Sequence, residues 1–176
     1  KIEAFGGDIA VKIETDAKTN NDFSTENDCV KNSGAKNNSA KSDNAVSGLT
    51  GRHILLCEDN PLNQEIAKEL LERKGANVEV AENGQVGLKC FSESEINYYD
   101  IIIMDIRMPV MDGYEATQKI RALERPDSKT VSIIAITAGG FDDDVRKCIS
   151  VGMNAHIAKP IDPETLYETL GKTLNK

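Results

Sequence analysis

Residues 100–113 read Asp100-Ile101-Ile102-Ile103-Met104-Asp105-Ile106-Arg107-Met108-Pro109-Val110-Met111-Asp112-Gly113. A run of large apolar residues stops at a carboxylate, and Pro109 and Gly113 punctuate the turn beyond it. So short and continuous an apolar run suits a strand buried on both faces, predicted over Asp100 to Met104. After Gly113, Ala116, Ile120 and Leu123 recur at helical spacing. Strand, turn and helix in that order form one half of a parallel crossover.

The same alternation extends in both directions. Strands are predicted over His53 to Cys57, Asn77 to Ala81, Ser132 to Ile136 and Ala155 to Ala158. The first helix takes Asn60 as N-cap and Pro61 at its first position, carries Leu62, Ile66 and Leu70 as an apolar stripe, and stops at Gly75. A second begins near Asn83 with Val86, Leu88 and Phe91. Asp142, Asp143 and Asp144 open a fourth that stops near Gly152, acids placed to suit the positive end of a helix dipole. The last has Asp162 as cap, Pro163 behind it, and Leu166, Leu170 and Leu174 on one side. Alternating strands and helices with near-continuous apolar strands predict an α/β fold, a doubly wound parallel sheet covered by helices on both faces. In such sheets ligands sit beyond the carboxyl ends of the strands, so the chemistry is expected just after each strand.

Upstream the texture changes near Leu49. Between Glu14 and Gly48 the only large apolar side chains are Phe23, Val30 and Val46, too few to offset the entropy of ordering, so residues 14–50 read as a disordered linker. Before it, Ile9, Val11 and Ile13 alternate with Ala10 and Lys12, which fits either a remnant strand of a preceding domain over residues 1–13 or an extended tail. Residues 51–176 carry the packed domain. A chain of 176 residues has room for one such domain and a remainder. Its first residue is Lys1 rather than Met, as expected of a piece of a longer chain.

Lys and Arg total 21 against 29 Asp and Glu, a net charge of -8, which repels phosphate backbones and argues against nucleic acid as a partner. No apolar run approaches the roughly 20 residues that cross a bilayer, so no membrane contact is expected from this segment. The 4 cysteines, Cys29, Cys57, Cys90 and Cys148, form no C-x-x-C pair and read as free thiols of a reducing, cytoplasmic compartment.

At the strand ends stand Glu58 and Asp59, then Asp105, Thr137, and Lys159-Pro160. If the first and third strands are neighbours, the carboxylates of Glu58, Asp59 and Asp105 converge and repel one another unless a cation is present. Oxygen donors without Cys or His select Mg²⁺ over zinc. Taken singly each residue is ordinary: an acidic pair in a solvated loop, an Asp in a turn, a Thr closing a strand, a surface Lys. Their conjunction at successive strand ends decides otherwise.

From Arg52 to about Thr173 the chain resembles the receiver (response-regulator) domain of two-component signalling. The resemblance rests on Ile54-Leu55-Leu56-Cys57-Glu58-Asp59-Asn60, on residues 102–113, on Ile134-Ala135-Ile136-Thr137-Ala138 and on Lys159-Pro160. Residues 152–162 and Asn60-Pro61-Leu62-Asn63 look most like receivers attached to hybrid sensor histidine kinases. It implies a flavodoxin-like (βα)5 sheet of strand order 2-1-3-4-5, with Asp105 accepting a phosphoryl group from a phosphohistidine. Mg²⁺ would be held by Glu58, Asp59, Asp105 and the backbone carbonyl of Arg107, while Lys159 and Thr137 would neutralise and hydrogen-bond the phosphoryl oxygens. Many members carry a cis bond like Lys159-Pro160. The implied partners are a histidine kinase core or a histidine phosphotransfer protein, met on the exposed first helix near Asn63 and Ala67; homodimerisation stays open.

Several smaller features go with this. Arg107, two residues beyond the acceptor, occupies a position that in the family influences how fast water reaches the acyl phosphate. His156 stands where many receivers carry Tyr or Phe, and reads either as that switching ring or as a half-exposed one. His53 begins a strand. Gly139-Gly140 gives the loop after Thr137 freedom to follow it, or simply makes a tight turn. No independent turnover is expected of such a domain. An aspartate-nucleophile phosphatase of the haloacid-dehalogenase type would need an acid where Arg107 stands. A flavodoxin-like phosphate binder would not place Glu58 and Asp59 after its first strand. A receiver-like docking module that is never phosphorylated is the remaining alternative.

Overall fold

The structure is a computed structural model that describes residues 49–139 and 142–175. The strand expected at Ile9 to Ile13, the linker up to residue 48 and Gly140 lie outside the described residues. Five strands, β1 (His53–Cys57), β2 (Asn77–Ala81), β3 (Ile101–Asp105), β4 (Ser132–Thr137) and β5 (Ala155–Ala158), alternate with α1 (Pro61–Glu72), α2 (Gly84–Glu93), α3 (Gly113–Ala122), α4 (Asp142–Ser150) and α5 (Pro163–Leu174). All strand pairs are parallel and the sheet order is β2-β1-β3-β4-β5, the predicted flavodoxin-like winding.

Alternate residues of the strands feed two cores. Leu55, Cys57, Ile102, Met104, Ile133 and Ala135 face Phe91 of α2, Ala116 and Ile120 of α3, and Cys148 of α4. Ile54, Leu56, Ile101, Ile103, Ile134 and Ile136 face Ala67 and Leu71 of α1 and Leu166 and Leu170 of α5. Every residue of β3 is buried, which explains why its sequence is a run and not an alternation. At the β2 edge the burial alternates instead.

Two strands extend one residue further than their apolar runs. Asp105 still pairs with Ile136, and Thr137 pairs with Ala158, because backbone hydrogen bonding is indifferent to where the side chains turn polar. Leu49, whose neighbours in sequence are those of the polar stretch, is 2% exposed and joins the core beneath α1, so among the described residues the core takes in Leu49 as well. The caps are as predicted at Asn60 and Asp162; Asn83, near which the second helix is expected to begin, caps α2 by accepting from the Val86 amide, and Asp112 caps α3 by accepting from the Glu115 amide.

Between β3 and α3 the chain turns through Val110 at φ 68, closed by the Met111 amide donating to the Pro109 carbonyl at 2.7 Å. A β-branched residue in the left-handed region costs about 1–2 kcal/mol. Val110 is 81% exposed and recovers little of that by burial. Val110→Asn should therefore raise stability by about 1 kcal/mol, read as a higher urea midpoint at unchanged slope; an unchanged or lower midpoint would contradict this.

Candidate functional site

The strand order reverses at β1, which has β2 on one side and β3 on the other, so the residues following β1 and β3 share a crevice. Glu58 is 1% exposed and its backbone amide continues the ladder to the Ala81 carbonyl. Its Oε1 accepts from Asn63 Nδ2 at 2.9 Å, while its carbonyl accepts from Gln64 Nε2 at 2.6 Å. Both donors come from the first turn of α1, whose start is fixed by the Asn60 cap and Pro61. Helix initiation thus orients the buried carboxylate.

Asp105 is 3% exposed at the end of β3. Its Oδ1 accepts from the Arg107 amide at 3.2 Å and its Oδ2 from Lys159 Nζ at 2.6 Å. Lys159 also donates to Glu58 Oε1 at 3.0 Å. Glu58 Oε2 lies 2.8 Å from the same ammonium, close enough to attract but without the direction of a hydrogen bond, and it is otherwise an unpartnered buried acceptor. The Lys159-Pro160 peptide is cis. Burial holds the Asp105 carboxyl above the ordinary range; the Lys159 hydrogen bond opposes this and the Glu58 charge reinforces it. Burial alone would lower the Lys159 pKa, but its hydrogen bonds to Asp105 and Glu58 outweigh that and raise it.

Glu58, Asp59 and Asp105 each offer a carboxylate oxygen, and these lie within 4.8 Å of one another. Asp59 is exposed, so the cluster opens to solvent on one side. A set of hard oxygen donors with an unpartnered buried oxygen, no thiolate and no imidazole fits Mg²⁺, which keeps several waters and needs few protein ligands.

Thr137 ends β4 and is 2% exposed, with its hydroxyl donating to the Gly139 carbonyl at 3.0 Å. The exposed Arg107 side chain lines a cavity of about 180 Å³ with Thr137 and Tyr114. Gly113 leaves no choice of side chain: a Cβ there would come within 2.2 Å of the Asp105 carbonyl oxygen, and the Gly113 amide donates to the Ile106 carbonyl. His156 is exposed on β5, and His53 is half-buried with its ring 4.4 Å from that of Tyr98. Sequence reasoning gathered the acids and Lys159 but missed Asn63 and Gln64 as supports of Glu58, and the close approach at Gly113. Each depends on how a helix start abuts a strand end, which residue spacing does not carry.

Residues 54–171 match the response regulator receiver domain family. Hybrid signal transduction histidine kinase I of Dictyostelium discoideum is 36% identical over 132 residues, which span 74% of this chain and 8% of that protein. Probable histidine kinase 2 of Oryza sativa subsp. indica is 41% identical over 133 residues, 69% of this chain and 13% of that protein. The chain therefore spans a small part of the curated relatives it matches. Among solved structures, the receiver domain of a sensor histidine kinase from Pseudomonas aeruginosa, with a magnesium ion coordinated in its active site cleft, is 37% identical with a TM-score of 0.65, covering 72% of this chain and 100% of that one. The receiver domain of a Saccharomyces cerevisiae response regulator, crystallised with its histidine phosphotransfer protein, is 30% identical with a TM-score of 0.62, covering 69% of this chain and 87% of that one.

Proposed function

The chain belongs to the response regulator receiver domain family, and from that premise we propose that it accepts a phosphoryl group on Asp105 from a phosphohistidine. The observation that carries this reading is the meeting of three carboxylates with the Lys159 ammonium, 2.6 Å from Asp105, in one crevice. An Asp105 oxygen attacks phosphorus while the phosphorus–nitrogen bond of the donor breaks; the electron pair returns to the imidazole nitrogen, and an acyl phosphate remains. Such a transfer has a loose transition state, so positioning and charge neutralisation supply most of the catalysis. Asp105 is positioned by β3 and by the Arg107 amide. Lys159 follows its charge from the carboxylate to the phosphoryl oxygens, and the Thr137 hydroxyl leaves the Gly139 carbonyl to donate to them. Glu58, Asp59, Asp105 and the Arg107 backbone carbonyl would hold Mg²⁺, which would add positive charge against the phosphoryl oxygens.

The donors are a histidine kinase core or a histidine phosphotransfer protein, as the yeast complex and the hybrid kinase relatives support. The outer face of α1 offers a docking surface, with Leu62 64% and Ile66 44% exposed beside a small cavity lined by Asn63, Lys159 and Pro160; Ala67, expected on this surface, is instead buried with Leu71 against the sheet, so the stripe of Leu62 and Ile66 faces outward. The setting that fits is a cytoplasmic phosphorelay. Incubated with acetyl phosphate and Mg²⁺, the chain should gain one phosphoryl group by intact mass, and a chelator should suppress the gain. No gain under these conditions would leave a docking module as the better reading.

A further inference from the structure

The two oxygens of the buried Glu58 carboxylate differ in what they touch. Oε1 accepts from Asn63 Nδ2 at 2.9 Å, from Lys159 Nζ at 3.0 Å and from the Asn60 amide at 3.3 Å, which leaves it no free lone pair. Oε2 accepts no hydrogen bond and has only the attraction of the Lys159 ammonium at 2.8 Å. Of the two side chains that donate to Oε1, Lys159 is shared with Asp105 at 2.6 Å, whereas Asn63 belongs to Glu58. Asn63 is also the more rigid. It is half-buried in the first turn of α1, and its backbone amide donates to the Asn60 cap at 3.3 Å.

We propose that Asn63 is a positioning residue that sets which divalent cation the crevice prefers, by holding Glu58 Oε1 so that a metal meets Oε2 alone. The inference rests on the metal site of the function proposed above. A carboxylate that offers one oxygen suits Mg²⁺, which is small and demands near-ideal octahedral geometry. Ca²⁺ takes roughly 6–8 oxygen ligands and gains from a carboxylate that turns both oxygens towards it. For Glu58 to present both, Oε1 must leave Asn63. That loss falls on the Ca²⁺ form and spares the Mg²⁺ form. Asp59 is exposed and adapts to either ion, so the discrimination lies with the buried Glu58. A hydrogen bond behind a ligand thus acts on the ion in front of it.

The probes are Mg²⁺ and Ca²⁺, each added alone at fixed ionic strength, with dissociation constants read from the amide chemical shifts of the isotope-labelled chain. Wild type, Asn63→Leu and Asn63→Ala are compared. The ratio of the Ca²⁺ constant to the Mg²⁺ constant is the measure, because both ions bind the same metal-free state and any effect of the substitution on that state cancels. The ratio should fall about fivefold in both variants, the equilibrium value of one net hydrogen bond. Leu fills the space of Asn and Ala vacates it, so a shared fall belongs to the lost amide and not to bulk. An Asn63 that only steadies the helix start would lower the melting temperature and weaken both ions alike, with the ratio unmoved. An unchanged or higher ratio in either variant that folds overturns the inference alone; a wild-type chain that binds no Mg²⁺ overturns the metal site of the proposed function and this inference with it.

Discussion

Asp105→Asn is expected to take up no phosphoryl group under conditions that label the wild-type chain. The amide is uncharged and does not attack phosphorus, and Glu58 cannot stand in for it because its buried carboxylate is held by Asn63 and Lys159. Loss of the fold would not explain the result. The Asp105 pKa is raised, chiefly by burial, even with Lys159 opposing. A raised carboxyl contributes stability below its unfolded value and loses it as pH climbs through the folded one, so at neutral pH the ionised form is the less favoured in the metal-free fold. Asn resembles the protonated form, and its Oδ1 still accepts from the Arg107 amide. The variant should therefore melt no lower than the wild type at neutral pH. Intact mass after acetyl phosphate treatment, beside a thermal melt, checks both halves. Phosphoryl uptake by Asp105→Asn would show that another group is the acceptor.

The acids and Lys159 were legible because each directly follows an apolar run, and a buried strand turns a sequence position into a place at one end of the sheet. Burial of all of β3 made that strand visible as a run, and the caps at Asn60 and Asp162 were visible because capping is local. The orientation of Thr137 was not, since a hydroxyl at a strand end serves a carbonyl two residues on as readily as a ligand. Tyr114 reads as an ordinary core aromatic; that its hydroxyl reaches α4 depends on helix packing between residues 30 positions apart. Arg125 and Asp127 read as polar loop residues, and nothing local signals that both are buried.

That pair carries the largest expected effect on stability. Arg125 and Asp127 side chains are 10% and 4% exposed, joined by Nε to Oδ1 at 2.6 Å and by the second guanidinium arm to Oδ2 at 2.8 Å. The rest of the fork donates to the carbonyls of Phe91, Ser94 and Glu95, where α2 ends, and the guanidinium lies 4.4 Å over the Phe91 ring. The Phe91 carbonyl, in the last turn of α2, also accepts from the Ser94 hydroxyl at 2.9 Å, and Arg125 adds a second donor there from a loop more than 30 residues away in sequence. Asp127 in turn accepts from the Asn97 amide at 2.7 Å, which fixes a residue at φ 63 before β3. Arg125→Ala leaves a buried carboxylate without its cation and removes the guanidinium from the end of α2, at a cost of about 3–5 kcal/mol, or a melting temperature lower by roughly 10 °C or more. Arg125→Lys should recover little, because an ammonium cannot reproduce the fork. The Arg125 hydrogen bond holds the Asp127 carboxyl below the ordinary range, so its contribution is present above the unfolded value and lost as pH falls through the folded one. Urea titrations across the acid range should accordingly show a wild-type loss that is smaller in Asp127→Asn. The pair stands between α3 and the start of β4, and Asp105 lies at the opposite, carboxyl end of the parallel sheet, so in the cold the variants should still take up phosphoryl. A melt of Arg125→Ala within about 1 kcal/mol of the wild type would mean that water satisfies these groups and that α2 closes without the guanidinium.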